Sequence, residues 1–301
     1  MILGFGALAV DDLLYVDEFP LRDGKTRVRH RHREGGGLAG TALVAASRLG
    51  VKTAWCGVLG NDELSRYSHE QLEIEGVDCS RILKEPDARP HYSVIVVCSD
   101  GSRSILACND GVTPFPAAQM DESLLRPARV VFIDHTTGET GVAAASLAQQ
   151  LGIPVVADIE RVDAPYVPEM LPLIDHLLIN LQTAKVLACE STAEDCVKRL
   201  MTPGRIACVV TDGAHGCWLA NADSPHEVQH VPAFAVDVVD TTGCGDVFHG
   251  AYMACLARGE DVQAAVRFAS ATAAIKATQR GGRSGIPDRA TVEAFMSSVG
   301  A

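Results

Sequence analysis

No stretch of this sequence approaches the roughly 18 consecutive apolar residues that a membrane-spanning helix needs. Basic residues are scarce as well: 26 Lys and Arg face 38 Asp and Glu, for a formal net charge of −12. A surface of that sign repels nucleic acid and anionic membranes, so neither is an expected partner. The opening MILGFGALAVDD has no basic leader and soon meets Asp11 and Asp12, so it reads as a strand rather than an export signal. Ten cysteines are scattered without a CxxC pair, and His30, His32 and Cys56 make no metal set. The expected setting is the reducing cytoplasm. There is no internal repeat, low-complexity tract or linker. There is no Walker A loop either, because Phe19 stands where Gly24-Lys25-Thr26 would need its earlier glycine.

The chain has 301 residues, 47% of them hydrophobic, enough to bury a sizeable core. Apolar runs at Ile2–Leu8, Thr53–Val58, Val130–Ile133, Pro154–Asp158, His176–Ile179 and Ile206–Thr211 predict strands. Helical patterns span Leu38–Leu49, Leu64–Glu75, Thr140–Leu151, Thr183–Cys189, Ala193–Met201, Asp246–Arg258, Val262–Thr278 and Arg289–Val299. Strands that are apolar throughout suit a parallel sheet covered on both faces, and their alternation with helices predicts a doubly wound α/β fold. Two stretches break the rhythm. TRVRHRHRE within Tyr15–Arg33 has a period of two, and His91–Cys108 reads as a hairpin turning at Ser99–Ser102. We expect one domain, 1–301, with a small β-sheet lid formed by about 12–34 and 91–108.

The densest chemistry lies in Asp240-Thr-Thr-Gly-Cys-Gly-Asp246, between a strand-like AFAVDVV and a helical VFHGAYMACLARG. Gly243 and Gly245 let main-chain N–H groups turn into one concavity. The helix adds its unpaired amides and the positive end of its dipole, which makes a nest for phosphate. A carboxylate there does not bind phosphate. It takes a proton from an attacking hydroxyl, the base role in phosphoryl transfer. The plain alternative is that Asp246 only complements the helix dipole.

This segment resembles the second signature, D-T-x-G-A-G-D, of the ribokinase-like (PfkB) carbohydrate kinases. Gly36-Gly37-Leu-Ala-Gly-Thr41 and its helix resemble the first signature, and Gly6-Ala-Leu-Ala-Val-Asp11 resembles a first strand ending in a sugar-binding Asp. Thr211-Asp-Gly213-Ala-His-Gly216 resembles a nucleotide-side turn, and RFASATAAIKATQRGGRSGIPD resembles the helix and loop that close over adenine. The resemblance implies a doubly wound sheet with a projecting β lid, ATP and Mg²⁺ as cofactors, K⁺ as a further candidate, a small sugar as substrate, and a homodimer formed through the lid. It makes Asp246 the base and the backbone at Gly243, Cys244 and Gly245 the anion hole. Asp11, Gly36, Gly37 and Thr41 become sugar contacts, and Thr211, Gly213 and Gly216 nucleotide contacts. Asn180 matches the Asn of an N-x-x-E motif that organises Mg²⁺ and its waters, and Asp240 falls near a monovalent-cation loop. Three positions depart from the pattern: Thr183 replaces the Glu of N-x-x-E, Thr41 stands where ribokinase has Asn, and Cys244 replaces Ala. Cys244 raises the option of a redox-sensitive thiol with a lowered pKa. The last third looks like sulfofructose kinases, with Lys25 matching a lid lysine, although Asp134–Thr137 carries no Arg for a sulfonate.

Other signals are weaker. Arg27, Arg29, Arg31 and Arg33 would share one strand face, as a protected edge or as a lid attracting an anionic ligand. His249, one helical turn after Asp246, reads first as a packed histidine. Gly4-Phe-Gly6-Ala-Leu-Ala9 and Gly35-Gly-Gly37-Leu-Ala-Gly40 match dinucleotide fingerprints, but neither sits between a strand and a helix with an acid at the right distance. The expected function is an ATP-dependent sugar kinase. The alternatives are a nucleoside kinase, a non-catalytic sugar- or nucleotide-binding regulator, and an NAD-dependent oxidoreductase.

Overall fold

A computed structural model describes residues 1–100 and 102–299. Gly101, part of the expected hairpin turn, lies outside the described residues. Nine strands form the main sheet, in the order Gln229–Val231, Cys217–Asn221, Ala207–Thr211, His176–Asn180, Val155–Asp158, Val130–Asp134, Ile2–Phe5, Thr53–Cys56 and Val77–Asp78. Pairing is parallel from Val77–Asp78 through Ala207–Thr211, and Cys217–Asn221 runs antiparallel to both Ala207–Thr211 and Gln229–Val231.

Alternate residues of these strands feed two cores. Ile2, Val130, Phe132, Val156, Leu178 and Val209 join the first, with the helices Leu38–Arg48, Cys244–Arg258 and Val262–Ala277. Leu3, Val131, Ile133, Val155, Leu177 and Val210 join the second, with Glu139–Gln150, Leu181–Ala188 and Ala193–Leu200. The central strands that feed both cores are therefore buried on both faces, which is why their sequences are apolar without alternation. Chain order reverses between the Ile2–Phe5 and Val130–Asp134 strands, and ligands of such sheets bind at the carboxyl ends of the strands beside that point.

A second sheet has four strands, in the order His30–Gly36, Ala9–Val16, His91–Cys98 and Arg103–Cys108. Three strand expectations change. The run Thr53–Val58 ends as a strand at Cys56, and Val58–Leu59 pairs instead with Leu83–Lys84. The run Ile2–Leu8 is not one strand: it breaks after Phe5, and the chain restarts at Ala9 in the second sheet. Gly6 marks the break, with a φ of 126° and an ideal Cβ that would lie 2.2 Å from Asp134 Oδ2. Asp11 accordingly sits inside a strand of the small sheet, not at the end of the first strand. The strand-like AFAVDVV is not a strand at all; Val238 and Val239 are exposed, so nothing buries a ladder there.

Candidate active site

The helix expected from Asp246 begins two residues earlier, at Cys244, and Gly243 is its N-cap in the left-handed region with a φ of 72°. No side chain caps this end, so the amides of Gly245 and Asp246 stay open while Asp246 occupies the first turn. Gly243 is also pressed against a second loop: an ideal Cβ there would lie 2.8 Å from the Gly282 main-chain oxygen. Thr241–Asp246 and the loop after the Val262–Ala277 helix thus form one wall.

Asp240 ties that wall together. Its Oδ1 accepts the Thr242 N–H at 2.8 Å, its Oδ2 accepts the Gly281 N–H at 2.9 Å, and its main-chain oxygen accepts Lys276 Nζ at 2.9 Å. Each of these oxygens holds a donor from another part of the wall, and the Lys276 ammonium beside Asp240 repels a cation there, so Asp240 fits as a lashing between loops rather than as a metal ligand.

Three acids, Asp158, Glu160 and Asp11, act on Asp246. Burial raises its carboxyl well above the ordinary carboxylate range, and the charges of Asp158 and Glu160, then Asp11, add to the rise against Arg283. Asp158, at the carboxyl end of the Val155–Asp158 strand, is buried and pushed up to about 8, by desolvation first and then by Asp134. Glu160 stands at the open rim; desolvation and then the Asp158 charge carry it to about 7. Asp134 is already engaged, accepting the Ala7 and Thr136 N–H groups at 2.8 Å each. The His249 ring sits between the Gly245 carbonyl at 2.8 Å and the Leu178 carbonyl at 3.2 Å, and 3.7 Å from Asp158 Oδ2. It is the packed, hydrogen-bonded histidine that its helix position predicted.

The sugar-side expectations also come together. Asp11 is raised to about 6 by burial, against the pull of Arg283. Gly36 is small because an ideal Cβ would lie 2.0 Å from Asp11 Oδ2, and Gly37 opens the Leu38–Arg48 helix at a φ of 86°. Thr41 is buried, and its Oγ1 accepts from Arg283 Nε at 3.2 Å. Arg283 Nη2 donates to the Gly36 carbonyl at 2.7 Å. Glu34, one residue before the glycines, accepts the Gly282 N–H and, at 3.4 Å, that of Arg283. Arg283 and Glu34 escaped the sequence reading, because their partners lie more than two hundred residues away in the chain. Asp158 and Glu160 had a usable signal: acids closing an apolar strand.

The remaining expected residues divide. Thr211 ends its strand on the same sheet edge as Asp134, Asp158 and Asn180, and Gly213 and Gly216 form the turn beyond it, at φ of 52° and 89°. Asn180 Oδ1 caps the Leu181–Ala188 helix by accepting the Thr183 N–H at 2.9 Å, and Thr183 Oγ1 donates to the Glu160 carbonyl at 3.1 Å. Lys25 is exposed in the segment before His30 and bonds to none of the described site residues. The arginine strand is largely self-neutralised: Arg29 pairs with Asp17, while Arg31 and Arg33 share Asp12 at 3.3 and 2.9 Å. These bonds, Arg33 first, hold Asp12 down at about 2. The redox option for Cys244 is overturned, because burial raises its thiol instead of lowering it. Among the described residues no three His, Cys, Asp or Glu converge as a metal cage.

Comparison with known proteins agrees with this geometry. The pfkB family carbohydrate kinase model matches residues 1–289. The chain is 30% identical to the ATP-dependent ribose-1-phosphate kinase of Halopiger xanaduensis over 98% of both chains, and 29% identical to Bacillus subtilis ribokinase over 87% of both. Thermotoga maritima ribokinase, a solved structure at 25% identity, superposes with a TM-score of 0.86 over 99% of each chain. From the glycine-bracketed turn to the doubly wound sheet beneath it, this chain belongs to the pfkB family of carbohydrate kinases.

Proposed function

We propose that the chain transfers the γ-phosphoryl group of ATP to a hydroxyl of a small sugar or sugar derivative, with Asp246 as general base. The observation that carries this reading is one carboxylate in the first turn of an uncapped helix, beside open amides and within the electrostatic reach of Asp11. The acceptor hydroxyl lies between Asp11 and Asp246. The amides of Gly243, Gly245 and Asp246 receive the transferring phosphate, whereas the Cys244 N–H expected among them is held by the Thr241 carbonyl at 3.2 Å, and Asp246 takes the hydroxyl proton. The protein contributes positioning and charge, with little covalent chemistry. ATP enters from the Thr211, Gly213 and Gly216 side.

With no protein cage among the described residues, Mg²⁺ would be held mainly by nucleotide phosphates and water, with Asp158, Glu160 and Asn180 at the sheet edge as its protein neighbours. When bound, it neutralises charge on the phosphates. Its electrostatic fit rests on Asp158 and Glu160, whose crowding a cation relieves. The four-stranded sheet is read as a lid of about 12–34 and 91–108 on a single domain of 1–301, and as a homodimer interface. Its outer strand Arg103–Cys108 is wholly exposed, Ile105 and Leu106 included. The protein is read as cytoplasmic on its scattered, unpaired cysteines. No helix among the described residues is long and apolar enough to cross a membrane.

The acceptor is found with a panel of ketoses, aldoses, nucleosides, phosphorylated sugars and sulfonated sugars, read by ADP release. The Halopiger relative's name puts an anionic sugar on that panel. The resemblance of the last third to sulfofructose kinases adds the sulfonated arm, with Lys25 as its candidate lid contact. At least one acceptor turns over in the wild type and not in Asp246→Asn; equal turnover in both ends this reading.

A further inference from the structure

Lys276 lies in the last turn of the Val262–Ala277 helix with 0% of its surface exposed. Lysine is almost never fully buried without a charged partner. Yet Lys276 enters none of the described ion pairs. Its Nζ instead donates to the main-chain oxygen of Asp240, the residue that opens the phosphate-binding turn. The Asp240 carboxylate is spoken for by the amides of Thr242 and Gly281, and Asp240 N–H itself bonds back to the Ala277 carbonyl at 3.1 Å. The ammonium therefore sits behind the anion nest, at the loop that the family resemblance gives to a monovalent cation. A K⁺ ion there needs main-chain oxygens, and at the one offered by Asp240 it would share the oxygen with an ammonium and be repelled by it. The residues present do not fit a potassium site.

We propose that Lys276 is a built-in cation: it pins the Asp240–Asp246 turn and adds positive potential behind the amides that receive the phosphate, so that this kinase needs no monovalent metal. An ammonium suits that task, being a compact point charge with three donors. Burial draws the amine below its ordinary value, while Cys244, Asp240 and Glu34 act to keep it charged and Arg103 opposes them. Lys276 acts through the turn and is a positioning residue.

The inference rests on the kinase reading, so its test includes a readout that needs no turnover. Affinity for a non-hydrolysable ATP analogue with Mg²⁺ is measured by calorimetry in potassium, sodium and tetramethylammonium chloride at equal ionic strength. Phosphotransfer is followed in the same salts. The wild type varies by no more than about twofold, since only screening is shared among these salts. Lys276→Met, of similar length and uncharged, binds the analogue about 10-fold or more weakly in tetramethylammonium, as expected for a lost hydrogen bond from a charged donor, and potassium or ammonium restores part of the loss. Rescue of that kind does not follow from damaged packing. A wild type whose analogue affinity depends on potassium overturns the proposal, as does a folded Lys276→Met with wild-type affinity in every salt. Should Lys276→Met fail to fold, the wild-type salt series decides alone. Absent phosphotransfer in every salt, with analogue affinity intact, counts against the kinase reading and leaves the lysine judged by affinity.

Discussion

A carboxylate raised by burial and by its acidic neighbours is a base only after it ionises. Activity limited by Asp246 therefore rises with pH as its proton is lost, and the ascending limb of the kcat/KM profile reports that titration. Asp246→Asn removes the proposed proton acceptor and keeps the size. We expect kcat to fall about 10²- to 10⁴-fold while calorimetry shows ATP-analogue affinity little changed. Asp158 acts on stability in the sense opposite to a salt-bridged acid. Its pKa near 8 means that the folded chain keeps a proton the unfolded chain has lost, so its contribution falls as pH rises from the ordinary carboxylate value to about 8. Asp158→Asn should flatten the fall of Tm between about pH 6 and pH 8 in metal-free buffer, as thermal melts at the two pH values will show. Asp246 was legible in the sequence because it and Asp240 bracket the Gly243-Cys244-Gly245 turn. Glu34 and Arg283 were not, since their roles exist only once the loop at 281–283 folds back onto the strand ending at Gly36.

The helix Cys244–Arg258 shows what a single glycine can hold at the scale of an element. Gly243 must take a positive φ and leave room for the Gly282 carbonyl. Gly243→Ala meets both a left-handed backbone and a 2.8 Å contact, so we expect a loss of at least about 1–2 kcal/mol in urea unfolding, with weaker analogue binding as the turn shifts. The elements most readable beforehand were the parallel strands and their helices, because burial on both faces leaves an apolar run with no periodicity of two. The misreadings share one cause. Apolar residues at 233–239 and across Ile2–Leu8 look like strand in composition, but pairing is a long-range event: the first run has no neighbour to pair with, and the second is split by Gly6 between two sheets.

At the scale of the molecule, the small sheet has two outer strands with different surfaces. His30–Gly36 is guarded by arginines paired to Asp12, whereas Arg103–Cys108 exposes Ile105 and Leu106 at 55% and 60%. An unguarded edge invites strand addition by a second copy. Light scattering should find a dimer, and Ile105→Lys with Leu106→Lys should shift it to monomer without lowering the melting temperature of the main body. The doubly wound architecture and the hairpin of this sheet were visible as alternating patterns. The parallel pairing of Ala9–Val16 with His91–Cys98 was not, as it joins segments some eighty residues apart.

The Glu34 carboxylate grips the backbone of Gly282 and Arg283, while Arg283 reaches back to Gly36 and Thr41. On the proposed reading, the acceptor side at Gly36 and Thr41 and the nucleotide-side loop at 281–283 share this clasp. Thermodynamic reciprocity follows: whatever factor an acceptor contributes to nucleotide binding, the nucleotide must return to the acceptor, and cutting the clasp with Glu34→Gln should shrink both factors together.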